Sequence, residues 1–294
     1  MSFRSMVLTT LFVLMTSFAA LAGAQGIPNP FFVFDNGTGR DQKVPLEEQA
    51  ELVKQTGFAG LGYSGTRHIP EILQALESRG LRLFSIYVSA HVDGDGPPGY
   101  DPGLPQAIQQ LKGHNTVIWL IIQGHAPDGE ARAVTVVREV ADLAAASGLR
   151  VVLYPHIAQH APCPTCDFYV SRIEDAVRIR KLVDRPNVGA TFNLCHFLAA
   201  QDEPSLDLRL KEAFPYLEMV SINGADHQGG WDRLIQPLDR GDFDVYGLVK
   251  KLVVMGYKGP IGLQCYQVPG DREENLNRSM AVWRQWSARM AAQK

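Results

Sequence analysis

Histidine placement is the clearest chemical signal in this chain. Of the eight histidines, His68, His91, His125, His156, His196 and His227 each stand just beyond a short apolar run, and His160 follows a few residues after one of them. Only His114 precedes such a run. Imidazoles gathered at the same ends of successive runs suit proton transfer near neutral pH, or metal binding. A single histidine on a loop is more often structural, so the reading rests on the cluster. His156 and His196 lie closest to the run ends and are the expected catalytic pair. With His91 and His125 they are also candidate ligands of one divalent metal, and three imidazoles would favour Zn2+ or another borderline transition metal.

The densest stretch is NVGATFNLCHFLA, residues 187–199, in which the apolar run Val188 to Phe192 ends in Asn193, Cys195 and His196. Asp35 and Asp226, each in a turn-rich segment, are further candidate bases or turn residues. Cys163 and Cys166 form a C-x-x-C in a Pro-rich loop, where a disulfide is expected in an oxidising compartment. A zinc site from His160, Cys163, Cys166 and a fourth ligand is the alternative. Cys195 and Cys265 read as buried thiols rather than nucleophiles.

The elements needed to position these groups alternate along the chain. Strands are expected at Phe31 to Phe34, Ala59 to Tyr63, Leu83 to Val88, Val117 to Ile122, Val151 to Tyr154, Val188 to Phe192, Met219 to Ile222 and Pro260 to Leu263. Val117 to Ile122 is apolar throughout, the signature of a parallel strand covered on both faces. Between the strands lie helical segments. Pro45 opens one whose Leu46, Ala50 and Val53 share a face, and Gly57 ends it. Glu130 to Ala146 carries Ala133, Val137, Val140 and Ala144 on one face, with Gly148 behind it. Asp271 and Glu274 form a capping box for the last helix, whose Leu276, Met280 and Trp283 face inward. Eight strand-helix units predict a single (β/α)8 TIM barrel, in which the C-terminal strand ends line the site.

Arg4, the apolar run from Met6 to about Leu21, and Ala22 with Ala24 before Gln25 compose a secretory signal peptide over residues 1–24. Residues 25–294 are then one barrel domain, exported to the periplasm or the extracellular space, with no stable membrane insertion after cleavage. The net charge of −3 and the lack of any Lys/Arg block argue against nucleic acid or anionic lipid as the main partner.

Several motifs in order resemble the xylose isomerase-like barrel family of sugar isomerases and epimerases, which includes inosose dehydratases and an endonuclease branch. They are LEEQAELVKQTGFAGLGYSG after the first strand, VVLYPH at the fifth, RPNVGATFNLCHF at the sixth, PLDRGDFD before a late helix and GYKGPIGLQCY at the eighth. The resemblance implies isomerisation or epimerisation of a sugar or keto-sugar through enolisation. A keto-sugar lyase or hydratase, or a non-catalytic sugar-binding barrel, is the alternative. In metal-dependent members a Glu, an Asp, a His and a Glu from strands five to eight hold one divalent ion. Here those positions fall on Tyr154, Asn193, near Ser221, and on Gln264, so three carboxylates have become a phenol and two amides. A hard cation such as Mg2+ or Mn2+ draws much of its affinity from anionic oxygens, so the family metal is placed in doubt. Tyr154, Asn193, Asn223, Asp226 and Gln264 are the expected substrate-binding groups, with Trp231 stacking on a sugar face. Arg240, with Asp242 beside it in PLDRGDFD, is a further substrate contact or a turn ion pair.

Overall fold

In the computed structural model, residues 26–94, 96, 99–157 and 168–293 are described. The expected signal peptide, residues 1–24, and His160, Cys163 and Cys166 lie outside them. Eight parallel strands form a closed ring: β1 Phe31–Phe34, β2 Gly60–Ser64, β3 Arg82–His91, β4 Val117–Gln123, β5 Arg150–Leu153, β6 Val188–Asn193, β7 Leu217–Ile222 and β8 Ile261–Leu263. Each pairs with the next, and β8 returns to β1 through Phe31 opposite Ile261, which closes the barrel. A two-residue antiparallel segment, Gly99–Tyr100, extends β3 at its far end.

The longer helices follow the strands as the sequence pattern predicts, and two short ones, Leu194–Ala199 and Trp231–Leu234, are additional. They are α1 Leu46–Thr56, α2 Ile69–Glu77, α3 Leu104–Gln110, α4 Gly129–Ala146, α5 Ile173–Val183, α6 Leu194–Ala199, α7 Leu206–Ala213, α8 Trp231–Leu234, α9 Val245–Val254 and α10 Arg272–Ala291. Gly57 caps α1 at φ 87°, and the Asp271 carboxylate accepts the Glu274 backbone N–H at the start of α10. The α4 face of Ala133, Val137, Val140 and Ala144 is fully buried. No described helix is long and apolar enough to cross a membrane.

Side-chain size alternates inside the barrel. Phe32, Phe34, Phe84, Trp119, Ile121, Val152, Tyr154 and Met219 fill it as one cluster. Their rings stack in sequence: Phe84 on Phe32 at 4.7 Å, Phe34 on Trp119 at 4.6 Å, and Trp119 on Tyr154 at 3.9 Å between centroids. Glycines on neighbouring strands make the room. A Cβ on Gly62 would lie 2.6 Å from the Phe34 ring, and one on Gly262 2.5 Å from that of Phe32. Small residues beside large ones are how a closed eight-strand ring packs its interior without voids. Trp119 Nε1 donates to Thr191 Oγ1 at 2.8 Å, so the one polar group of the indole is satisfied inside the stack.

At the N-terminal end of the barrel the incoming chain is tied down. Asn29 Nδ2 donates to the carbonyls of Tyr257 and Gly259, and the Ile27 N–H donates to Ser287 Oγ on α10.

Candidate active site

Tyr154 and His156 follow β5, and His196 sits in the first turn of α6, a short helix the sequence pattern does not reveal. Asn193 ends β6 and caps α6, its Oδ1 accepting the His196 N–H. That turn carries the polar tip inward. Asn193, Cys195 and His196 are all buried instead of facing an open cup. The two imidazoles lie 4.1 Å apart between centroids, and the Trp231 ring meets His196 edge-on at 5.1 Å. Thus His156, His196, Tyr154, Asn193 and Trp231 come together as expected.

The hydrogen bonds around Tyr154 fix the proton positions. The Ile157 backbone N–H donates to His196 Nδ1 at 3.1 Å. A backbone N–H can only donate, so Nδ1 carries a lone pair and the neutral ring bears its hydrogen on Nε2. His196 Nε2 lies 2.9 Å from the Tyr154 hydroxyl oxygen and therefore donates to it. Asn193 Oδ1 accepts from the Cys195 thiol at 2.9 Å, which leaves its Nδ2 to donate to the same phenol oxygen at 3.0 Å. Both nitrogens of His196 are thus used within the protein. Its expected role as a proton carrier gives way to one of orienting Tyr154.

His156 is different. Its Nδ1 is buried with no hydrogen-bond partner among the described residues. Burial lowers its pKa to about 4, and burial with the neighbouring His156 ring pushes His196 well below the usual imidazole range. Both rings are neutral at pH 7. Acid should therefore destabilise the fold through them. Between the unfolded value near 6.5 and the folded value near 4, the unfolded chain binds a proton that the folded His156 does not, so this stability is full above pH 6.5 and is lost as pH falls. Asp35 works in the opposite sense, because burial, opposed by Arg40, raises its pKa to about 6. Comparing wild type with His156→Gln removes that background. The difference in their unfolding free energies should change by roughly 1.4 kcal/mol per pH unit between pH 6 and 5. Urea titrations that show parallel pH dependence would contradict it.

The other expected site residues are placed elsewhere. Asp35 is buried, taking the Ser64 N–H at 2.7 Å, the Ser64 hydroxyl at 2.8 Å and Arg40 at 3.3 Å, so it ties β1 to β2 rather than serving as a free base. Asp226 is locked by Arg233 and by the Asp242 N–H, and Asp242 in turn accepts the His227 N–H. These contacts make PLDRGDFD a loop clamp. Arg240 is exposed on that loop, and its side chain makes no hydrogen bond or ion pair among the described residues. Asn223 Nδ2 holds the carbonyls of Gly224 and Leu234, while its Oδ1 is buried without a partner among the described residues. His91 and His125 stand exposed on the rim, His68 is an exposed left-handed residue before α2, and His227 pairs with Glu203 at 2.7 Å. Cys195 is buried as expected, whereas Cys265 is only half-buried; burial pushes both thiols up to about 12.

The four positions that hold a metal in the resembling family do not fit one here. Tyr154 accepts two N–H groups, Asn193 Oδ1 is taken by Cys195 and His196, and Ser221 offers a neutral hydroxyl. Gln264 Oε1 accepts from Asn36 Nδ2 and from the backbone N–H groups of Cys265 and Tyr266 at 3.0 and 3.2 Å. No anionic oxygen is present, and a divalent ion would have to break each of these bonds. The histidine alternative is no better placed, since no group of three or more His, Cys, Asp or Glu converges among the described residues. Sequence reasoning missed Asn36 and Ile157, whose contacts join positions far apart in the chain and leave no local signal.

Residues 50–286 match the family model described as the xylose isomerase-like TIM barrel. The chain belongs to that family. Among solved structures, the 3-keto-D-glucoside 4-epimerase of E. coli in its apo form is 17% identical with a TM-score of 0.66, over 87% of this chain and 99% of that one. D-allulose 3-epimerase from Methylomonas sp. gives 15% identity and a TM-score of 0.68, over 89% and 98%. The probable 3-DHS dehydratase of Bacillus anthracis gives 14% and 0.67, over 86% and 98%. At these identities the likeness is one of fold. No curated protein sequence matches significantly.

Proposed function

We propose that this xylose isomerase-like barrel isomerises or epimerises a sugar or keto-sugar by enolisation at its C-terminal mouth. His156 takes the proton from the carbon beside the carbonyl. The observation that carries the reading is the Nδ1 of a neutral His156, which has no partner among the described residues and is set among Tyr154, Phe168 and His196. Burial keeps its lone pair available at neutral pH, and the negative charge forming on the substrate raises its proton affinity as the proton moves. Trp231 offers a ring edge, and Gln264 keeps an Nε2 donor that no described residue uses, so each can meet a sugar hydroxyl or ring face. The neutral donor set supports a reaction without a bound metal. Export by the N-terminal leader would place the substrate outside the cytoplasm.

The test is solvent exchange. The mature protein is incubated in D2O with a panel of keto-sugars, and deuterium at the carbon beside the carbonyl is followed by NMR, with and without chelator. Exchange that survives chelation is expected. A sugar that binds by calorimetry without exchange would point to a binding barrel, a reading favoured by the inward commitment of Tyr154, Asn193 and Gln264. Exchange with loss of water from the product would point to a lyase.

A further inference from the structure

We propose that the Tyr154 hydroxyl forms an oxyanion site for a planar enediolate, taking the place that a metal ion occupies in metal-dependent barrels of this architecture. The inference deepens the enolisation reading and rests on it for the identity of the ligand. It follows from counting protons. A phenol oxygen has two acceptor positions and one hydrogen. Both acceptor positions of Tyr154 are filled, by Asn193 Nδ2 at 3.0 Å and by His196 Nε2 at 2.9 Å. Neither donor can be reversed. Asn193 is held by Cys195 and the His196 N–H through its Oδ1, and His196 is held by the Ile157 N–H at its Nδ1. The one group left over is the phenol hydrogen, and no described residue accepts it.

A hydroxyl that accepts two hydrogen bonds is a stronger donor through its own hydrogen, because the bonds polarise one another. Its surroundings are buried and aromatic, with Trp119 stacked at 3.9 Å, so the donor acts in a low dielectric and cannot swing away. The Tyr154 and His156 rings lie 5.2 Å apart, edge to face. A carbonyl oxygen on the phenol hydrogen therefore puts the neighbouring carbon beside the imidazole. His156 removes that carbon's proton, the C–H pair becomes the C=C bond, and the carbonyl π pair moves onto oxygen. Tyr154 keeps its proton and stabilises the charge through the hydrogen bond. Return of the proton from His156 to the same carbon regenerates the keto-sugar with exchange; return to the former carbonyl carbon, with the hydroxyl proton of the neighbouring oxygen passing to the oxyanion, gives the isomeric carbonyl, and neither path needs an oxidant or reductant. Tyr154 is a catalytic residue in this scheme; Asn193 and His196 are positioning residues.

The probes are aldonohydroxamates of four to six carbons, stable planar mimics of an enediolate, measured by calorimetry on the full mature chain. Wild type should bind at least one of them, and Tyr154→Phe should bind it roughly 10- to 100-fold more weakly. Binding by none of them, or equal binding by the variant, overturns the oxyanion site. The phenylalanine variant leaves two buried N–H donors unpaired and could lose its fold, so 3,5-difluorotyrosine at position 154 supplies the second test. Its more acidic hydroxyl should tighten hydroxamate binding if the phenol donates; unchanged or weaker binding overturns the proposal. Nitrogen NMR of His196 should show hydrogen on Nε2, and hydrogen on Nδ1 would reverse the count and overturn it. If wild type exchanges deuterium and Tyr154→Phe exchanges equally well, enolisation stands and the oxyanion site fails. Tyr154-dependent hydroxamate binding without exchange on any keto-sugar leaves the oxyanion site and removes the isomerase.

Discussion

Replacing His156 with glutamine is expected to remove most solvent-deuterium exchange, a loss of about 10²–10⁴-fold, while the barrel stays folded. Glutamine fills much of the same space beside Phe168 and His196 but has no basic nitrogen. The loss should appear in kcat, with KM little changed, because the imidazole acts on the moving proton rather than on substrate hydroxyls. His227→Gln is the matched control, since that ring is exposed and paired with Glu203. A His156→Gln protein that exchanges within a few-fold of wild type would remove this residue from the reaction and return the question to an unidentified base.

The largest effect on stability is expected at Trp119. Truncation to alanine deletes the ring between Phe34 and Tyr154 and the hydrogen bond to Thr191, where Phe34, Tyr154 and Thr191 are all buried. Large-to-small changes of this kind cost about 3–5 kcal/mol, through lost transfer energy and the cavity left behind. In a domain of this size that is a fall of roughly 10 °C in Tm. Trp119→Phe keeps a stacked ring and loses the Thr191 bond, so it should cost only about 1–2 kcal/mol. Urea unfolding of the two variants separates the contributions. An alanine variant within about 1 kcal/mol of wild type would mean that the stack is not a principal support of the barrel. If it is, Trp119→Ala should also weaken exchange, because Tyr154 then loses the surface that orients it.

The barrel was readable in advance because each strand-helix unit carries its own local signal. Val117 to Ile122 is apolar throughout, α4 repeats its buried face every three to four residues, and Asp271 caps α10. Local signals also placed the ends of β5 and β6, and therefore the meeting of His156 with His196. They fell short where the chain departs from periodicity. α6 and α8 are too short to show a helical pattern, and β3 runs on to His91 because Ser89, Ala90 and His91 stay paired with Ile121, Ile122 and Gln123 on one side while Gly99–Tyr100 pairs with its end on the other. The direction of each polar side chain was not legible either. Asn193 and His196 look alike as open ligands or as closed supports until Ile157, Cys195 and Tyr154 are brought against them by folding. Gln264 looks like a substrate amide until Asn36, from the opposite end of the chain, takes its oxygen. Asp226 and Asp35 read as bases because their arginine partners, Arg233 and Arg40, could be paired with them only in three dimensions.

The anchoring of the incoming chain beneath the barrel sets the direction in which the molecule faces. Asn29 and Ile27 fasten it to Tyr257, Gly259 and Ser287 at the N-terminal end of the strands, while His156, Tyr154 and Trp231 lie at the other end. Anything joined ahead of residue 26, whether a purification tag, a fused carrier or a surface, thus meets the barrel from behind. A protein immobilised through that end would present its mouth outward, with substrate approach unobstructed.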